Sequence, residues 1–361
     1  MGTSVPVIVD QGLCLYTCRL QHGVLMKKLI IVPTLILLVP GAVACGTTAA
    51  SSGIRVATND GPTGAAIAHL TAIPPKGRAS AGGIDVNSAG IPFVSRTIRR
   101  STGNVGRVLK VLPNRKVVPF GPPIRLGHFG ALTGLVVAPH DHVYVATSSY
   151  GPRRNTIYRI TSARLHPVAR TAGSRTGYSA PNGLAFHNGR LYVTDPFAGA
   201  VWRFRPSRQI QGLTRPWLQT RSLTARTPGG WGVYGIAFRR NTLWLTNSDR
   251  GLLLRVVDGT PCVVLRSQRL DGADGLTFDK HGQIRVAVAG PLQTGDTGSP
   301  ARQALLTADT AGRVLAWATD KDWMDGPVAV ALGRGQTSGR LLVLNDGRYD
   351  GHASVVSLPI R

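Results

Sequence analysis

The sequence predicts an all-β fold, a six-bladed β-propeller of four-stranded antiparallel blades over residues 65–361, on three observations. A short apolar run headed by glycine recurs six times, at Gly83, Gly134, Gly183, Gly235, Gly275 and Gly326, with spacings of 51, 49, 52, 40 and 51 residues. Each spacing suits one propeller blade. Around these glycines, apolar residues alternate at a period near two, and Gly, Asn or Asp closes the runs, as half-buried antiparallel strands require. No segment past residue 53 carries a helical period.

The elements follow in chain order. Residues 1–25 hold Cys14 and Cys18 and match no targeting pattern, so they read as an upstream extension preceding a start at Met26. Residues 26–45 read as a lipoprotein-type signal: Lys27 and Lys28, an apolar run over 29–39, then small residues up to Cys45, the expected lipidation site. The run falls short of the about 20 apolar residues of a membrane span. Residues 46–64 begin small and polar and read as a tether. The strand-like segment 65–73 is expected to close the ring by pairing with 354–358 at the chain end.

Blade three shows the unit best: Asn182-Gly183-Leu184-Ala185-Phe186, a turn at His187-Asn188-Gly189, Leu191-Tyr192-Val193-Thr194-Asp195, and Val201-Trp202-Arg203-Phe204. Blade four repeats it as Leu243-Trp244-Leu245-Thr246-Asn247, and blade six as Leu341-Leu342-Val343-Leu344-Asn345-Asp346. Blade five is interrupted by a Gly/Pro/Thr-rich insert over 290–300, read as a loop.

Charge is lopsided: 42 Lys and Arg face 17 acids, for a net charge of +25, and every acid is Asp. Chemistry that needs a glutamate is therefore excluded. The arginines are scattered among the blades, the compact basic run being Arg96, Arg99 and Arg100. That dispersal argues against a nucleic-acid partner, which calls for a clustered footprint. Cys262 lies in an apolar stretch and reads as a buried thiol.

The residue before each inner-strand glycine is expected to face the channel, and the end of the following strand returns to the same face. This gathers Thr133, Asn182, Tyr234, Asp274 and Asp325 with Ser148, Asp195, Asn247 and Asp346 at one mouth. Of these, Asn182, Tyr234, Asp195 and Asn247, with His128 just before blade two, are the expected ligand-binding residues. Asn182, Asp274 and Asp325 offer hard oxygens for a divalent metal, Ca2+, Mg2+, Mn2+ or Zn2+, and Asp274 is the expected catalytic residue. Asn-Gly and Asp-Gly are equally turn dipeptides. His140-Asp141-His142 reads as a turn on the opposite face.

Pro181-Asn182-Gly183-Leu184 with Leu191-Tyr192-Val193-Thr194-Asp195, and Ala273-Asp274-Gly275-Leu276, resemble blades of the gluconolactonase, senescence marker protein and luciferin-regenerating enzyme family. They also resemble NHL-repeat propellers, including streptogramin-type lyases. The first resemblance implies one divalent metal at the channel mouth, held by a Glu, an Asn and an Asp. Asn182 and Asp274 match the Asn and Asp by type, while the Glu position falls at Gly82 or Gly83. Asn182 and Asp274 also stand two blades apart, with Tyr234 between them.

Two function classes follow. The first is an exported, monomeric binding module whose propeller face takes a small-molecule, glycan or protein ligand. It would be held by its lipid anchor outside a bacterial membrane, or secreted. The alternative is a metal-assisted hydrolase or lyase of a small lactone, ester or sugar-derived compound.

Overall fold

A computed structural model of the chain describes residues 66–69, 79–149, 155–171, 179–227, 229–290, 303–319, 322–347 and 352–360. Contacts divide the chain into Met1–Ala44 and Cys45–Arg361, and every described residue belongs to the second unit. The extension 1–25, the leader 26–45 with Cys45, the tether 46–64 and all but the first residue of the blade-five insert lie outside the described residues.

Six sheets form the propeller. Blade one is Ala79–Val86, Pro92–Ile98, Asn104–Val111 and Val117–Gly127; blade two is Ala131–Ala138, His142–Ser148, Asn155–Ile160 and Leu165–Thr171. Blade three is Leu184–His187, Arg190–Asp195, Ala200–Phe204 and Leu218–Gln219; blade four is Val233–Arg239, Thr242–Asn247, Leu252–Val257 and Thr260–Arg266. Blade five is Ala273–Phe278, Ile284–Val288, Ala304–Ala308 and Val314–Ala318. Blade six takes Pro327–Leu332, Arg340–Asn345 and Ser354–Pro359, and its outermost strand is Ala66–His69 from the other end of the chain. That strand pairs antiparallel with the last one, Ala66 opposite Ser357 and His69 opposite Ser354. The ring is thereby closed and the edge of the last blade covered.

Period-two alternation explains how the blades stack. On the second strand of blade three, Leu191 and Val193 enter the apolar cluster shared with blade two, while Tyr192 enters the one shared with blade four. Leu243 and Leu245 of blade four likewise turn toward blade three, and Trp244 toward blade five. Among the described residues there are six such clusters, one at each junction, including that between blades six and one. Each fully buried Leu or Val contributes about 1.5–3 kcal/mol.

The inner-strand glycines have a steric cause. A Cβ on Gly134 would lie 1.8 Å from the Asn182 carbonyl oxygen, and one on Gly235 would lie 2.1 Å from that of Asp274. Only a hydrogen fits where neighbouring inner strands approach this closely. A hydroxyl on the second strand completes the junction. Thr194 Oγ1 accepts from Gly183 N at 2.8 Å and donates to the Tyr234 carbonyl of the next blade at 2.5 Å. Thr246 repeats this with Gly235 N at 2.8 Å and the Asp274 carbonyl at 2.9 Å. Ser95 donates to the Thr133 carbonyl in the same way. In blade two the matching position is Ala146, and Thr133 instead donates to the Pro181 carbonyl at 2.7 Å.

Three expectations are corrected. Blade two carries a fifth strand, Gln211–Leu213, parallel to Leu165–Thr171, drawn there because Leu213 is buried in the cluster between blades two and three. Cys262, on the outermost strand of blade four, is disulfide-bonded and not a thiol. In blade six the inner-strand register differs by three residues from the one read at Gly326. Gly275 packs against Val328 and Ala329, as Gly235 packs against Asp274, so Val328 holds the channel position. Asp325-Gly326 is the turn before the strand, with Gly326 at φ +67°.

Candidate functional site

The channel runs along the inner strands and encloses about 220 Å³. Asn182, Tyr234 and Asp274 line it at the end where those strands begin, and Asp85 and Arg334 line it at the other end. Asn182, Tyr234 and Asp274 are each less than a tenth exposed. The side-chain amide of Asn182 makes no hydrogen bond among the described residues. Asp85 accepts from Val137 N and Val86 N, both at 2.8 Å. Burial pushes its carboxyl above the ordinary carboxylate range, against the pull of Arg334 and of those two bonds.

The structure thus brings together Asn182, Tyr234 and Asp274, and separates them from the rest of the expected set. Asp325 is not part of the channel lining, for the register reason given above. Asp195 and Asn247 have no exposed surface and line neither cavity. Asp195 accepts from Ser179 Oγ at 2.6 Å, Ala180 N at 2.9 Å, Ala198 N at 3.1 Å and Trp202 Nε1 at 3.4 Å. Asn247 donates to the Ser222 and Thr224 carbonyls and accepts from Arg250 N. Both side chains fold the mouth-face connections onto their blades, so their polarity is spent internally. On the far face, Asp141 of the His140-Asp141-His142 turn accepts from Asn87 and Ser88, tying blade two to blade one.

The channel offers a divalent metal a poor set of donors. The residue before the inner-strand glycine, or its counterpart, is Gly82, Thr133, Asn182, Tyr234, Asp274 and Val328 around the ring, with one carboxylate and one side-chain amide, two blades apart. Ca2+ takes about six to eight oxygens. Among the described residues, no group of three or more His, Cys or acidic side chains is placed to hold a metal.

A second cavity, of about 1210 Å³, opens on the mouth face. Blade one contributes Thr97, Arg99 and Asn104; the connection to blade two contributes His128, Phe129 and Gly130; Phe197 comes from blade three; and the connection to blade four contributes Arg221, Arg226 and Trp231. Arg250 of blade four also lines it, and among the described residues no Asp does. Asn104 pins the His128 segment by donating to the Gly130 carbonyl at 2.8 Å. Arg250 is spent on the Thr224 and Ala225 carbonyls, at 2.7 and 2.9 Å. Arg226 meets Asp271 at 3.5 Å. Trp231 lies against Phe197 in a tilted arrangement with centroids 4.6 Å apart, and also meets Tyr234 of the channel at 5.7 Å.

Of the expected ligand residues, only His128 lies in this larger cavity. Its arginines and aromatics were missed because no repeat marks them: they come from connections, whose sequences differ from blade to blade. One signal was available, since Arg99 belongs to the compact basic run.

No protein-family model matches the chain, and no curated protein matches it in sequence. Solved structures do. Virginiamycin B lyase from Staphylococcus aureus matches with a TM-score of 0.50 at 14% identity, over 82% of this chain and 88% of that one. The gluconolactonase XC5397 from Xanthomonas campestris matches with a TM-score of 0.52 at 15% identity, over 78% and 87%. The PQQ-bound aldose sugar dehydrogenase from Streptomyces coelicolor matches with a TM-score of 0.50 at 14% identity, over 82% and 99%. The chain therefore shares with a gluconolactonase, a lyase and a sugar dehydrogenase the six-bladed propeller fold.

Proposed function

We propose that the protein is an exported propeller that binds a small molecule in the mouth-face cavity. It would be tethered through Cys45 to the extracytoplasmic side of a bacterial membrane and act as a monomer. The observation that carries this reading is the cavity itself: about 1210 Å³, concave, walled by aromatics and by arginines, and set on connections held by a rigid ring. Small-molecule sites have this character, at volumes of about 300–1,000 Å³, which this cavity somewhat exceeds. A protein or extended glycan would call for a broader, shallower face. Export rests on the leader and Cys45; Cys45→Ser should release the chain from the membrane fraction.

The test is a thermal-shift screen of the full chain against small molecules of varied charge, including sugars and lactones, with Trp231→Ala as control. Binding in the cavity raises the melting temperature of the wild type and not of the variant, because a ligand of the folded state stabilises it by mass action. A screen with no stabilising compound would count against the reading.

A second reading, a hydrolase or lyase of a small lactone, ester or sugar-derived substrate, is favoured by Asn182 and Asp274 facing one channel. It draws also on the fold shared with a gluconolactonase. Stoichiometric divalent metal in the purified protein, lost in Asp274→Asn, would move the assignment there.

A further inference from the structure

We infer that the mouth-face cavity selects a ring-bearing oxyanion, a carboxylate or phosphate attached to a planar ring. Arg99 and Arg221 take the anionic group and Trp231 the ring. This rests on the binding reading above and names its ligand class.

Among the described residues, four guanidiniums line the cavity and no carboxylate does. They are not equivalent. Arg250 is held by two backbone carbonyls and Arg226 has Asp271 beside it. Arg99 and Arg221 are exposed and make neither an ion pair nor a side-chain hydrogen bond among the described residues. An arginine does not deprotonate in proteins, so this charge is permanent. Two unspent guanidiniums from different parts of the ring line one concavity, and an oxyanion bound there takes charge-assisted, bidentate hydrogen bonds from them.

The aromatic side chains supply the second half of the ligand. Trp231 is only partly buried, with Phe197 packed against it at a tilt and Tyr234 beside it, so the indole is held in place while part of its surface stays open. Phe129 lines the same cavity and is 82% exposed, more than any other large apolar side chain described. A lone anion would leave these rings in water. A ring carried by the ligand covers them and gains apolar burial with stacking.

Titration calorimetry on the full chain tests this with naphthoate, naphthyl phosphate, naphthalenemethanol and acetate as probes. Naphthoate, naphthyl phosphate or both should bind at least about tenfold more tightly than the alcohol and than acetate. The two charged arms distinguish a carboxylate from a phosphate site. Arg99→Gln with Arg221→Gln should bring the anions down to the affinity of the alcohol and leave the alcohol unchanged, and Trp231→Ala should weaken every ring-bearing probe. The inference is overturned if the alcohol binds as well as the anions, if the double variant keeps the preference for anions, or if no probe binds. In the first two cases a loss on Trp231→Ala would leave the binding reading standing. In the third, that reading stands or falls with the thermal-shift screen.

Discussion

The indole of Trp231 lies 4.6 Å from the ring of Phe197, with the two planes inclined at 37°. The contact joins the connection leading into blade four to the turn after the second strand of blade three. Gly232 N donates to the Pro196 carbonyl at 3.1 Å close by, so backbone and rings fasten the same two segments. Trp231 also touches Tyr234, which lines the channel. One aromatic row therefore passes from the larger cavity to the channel mouth, and it sets the wall of the proposed site on the ring of inner strands.

The hydroxyl junctions carry the first prediction. Thr194→Val keeps the shape of the side chain and removes both bonds of Oγ1, leaving Gly183 N and the Tyr234 carbonyl without that partner. Burying unsatisfied groups costs about 1–3 kcal/mol. Denaturant unfolding should show that loss, and Thr194→Ser should recover most of it. Equal stability of Thr194→Val and wild type would remove the hydroxyl from the account.

The close approach of the inner strands carries the second. In Gly134→Ala the new Cβ meets backbone at 1.8 Å, so the blades must separate. The expected loss is about 3 kcal/mol, the upper part of the range for overpacking. By contrast, Gly189→Ala adds a Cβ with nothing within 4 Å and meets only the cost of its positive φ. Thermal melts should place Gly134→Ala well below Gly189→Ala; the reverse order would mean the glycines do not set the spacing.

Much of the fold was legible because a propeller repeats its own constraints. Gly134, Gly183, Gly235 and Gly275 each meet the backbone of the next blade, and a steric need repeated around a ring leaves a period in the sequence. Blade six departs from it: Ala329 takes the glycine's place, and Asp325-Gly326 mimics the motif as an ordinary turn. The site was less legible. Asp195 and Asn247 looked like ligands because they are polar residues at strand ends, yet their polarity serves the adjoining connections. Arg221 and Trp231 lie in a connection that no other blade repeats, so their convergence is visible only in three dimensions.

Ring closure gives the third prediction. Removing residues 66–69 exposes the last strand, Ser354–Pro359, along its whole outer edge. The deletion should lower the melting temperature and promote self-association, both readable by scattering during a melt. A deletion variant that melted cooperatively at the intact temperature, without aggregation, would contradict closure by this strand.

The fourth concerns pH. Burial raises the Asp195 carboxyl above its ordinary value of 3.8, against the bonds from Ala180, Ser179, Ala198 and Trp202 that lower it. The folded state then holds this proton more firmly than the unfolded chain does. The group's contribution is full below the ordinary value and is lost as pH rises through the raised one. The stability of wild type relative to Asp195→Asn should therefore fall as the pH rises above the ordinary value of 3.8. A difference that stayed flat or grew as the pH rose would mean the four donors outweigh burial and keep the carboxylate charged.

The location of the ligand is tested most directly by hydrogen exchange of the full chain with and without naphthoate. Slowed exchange confined to the cavity segments 97–104, 128–131, 221–227 and 229–231, with the channel strands around Asn182 and Asp274 unchanged, is the result this account predicts. Slowed exchange along those channel strands instead, with the cavity segments unaffected, would contradict it.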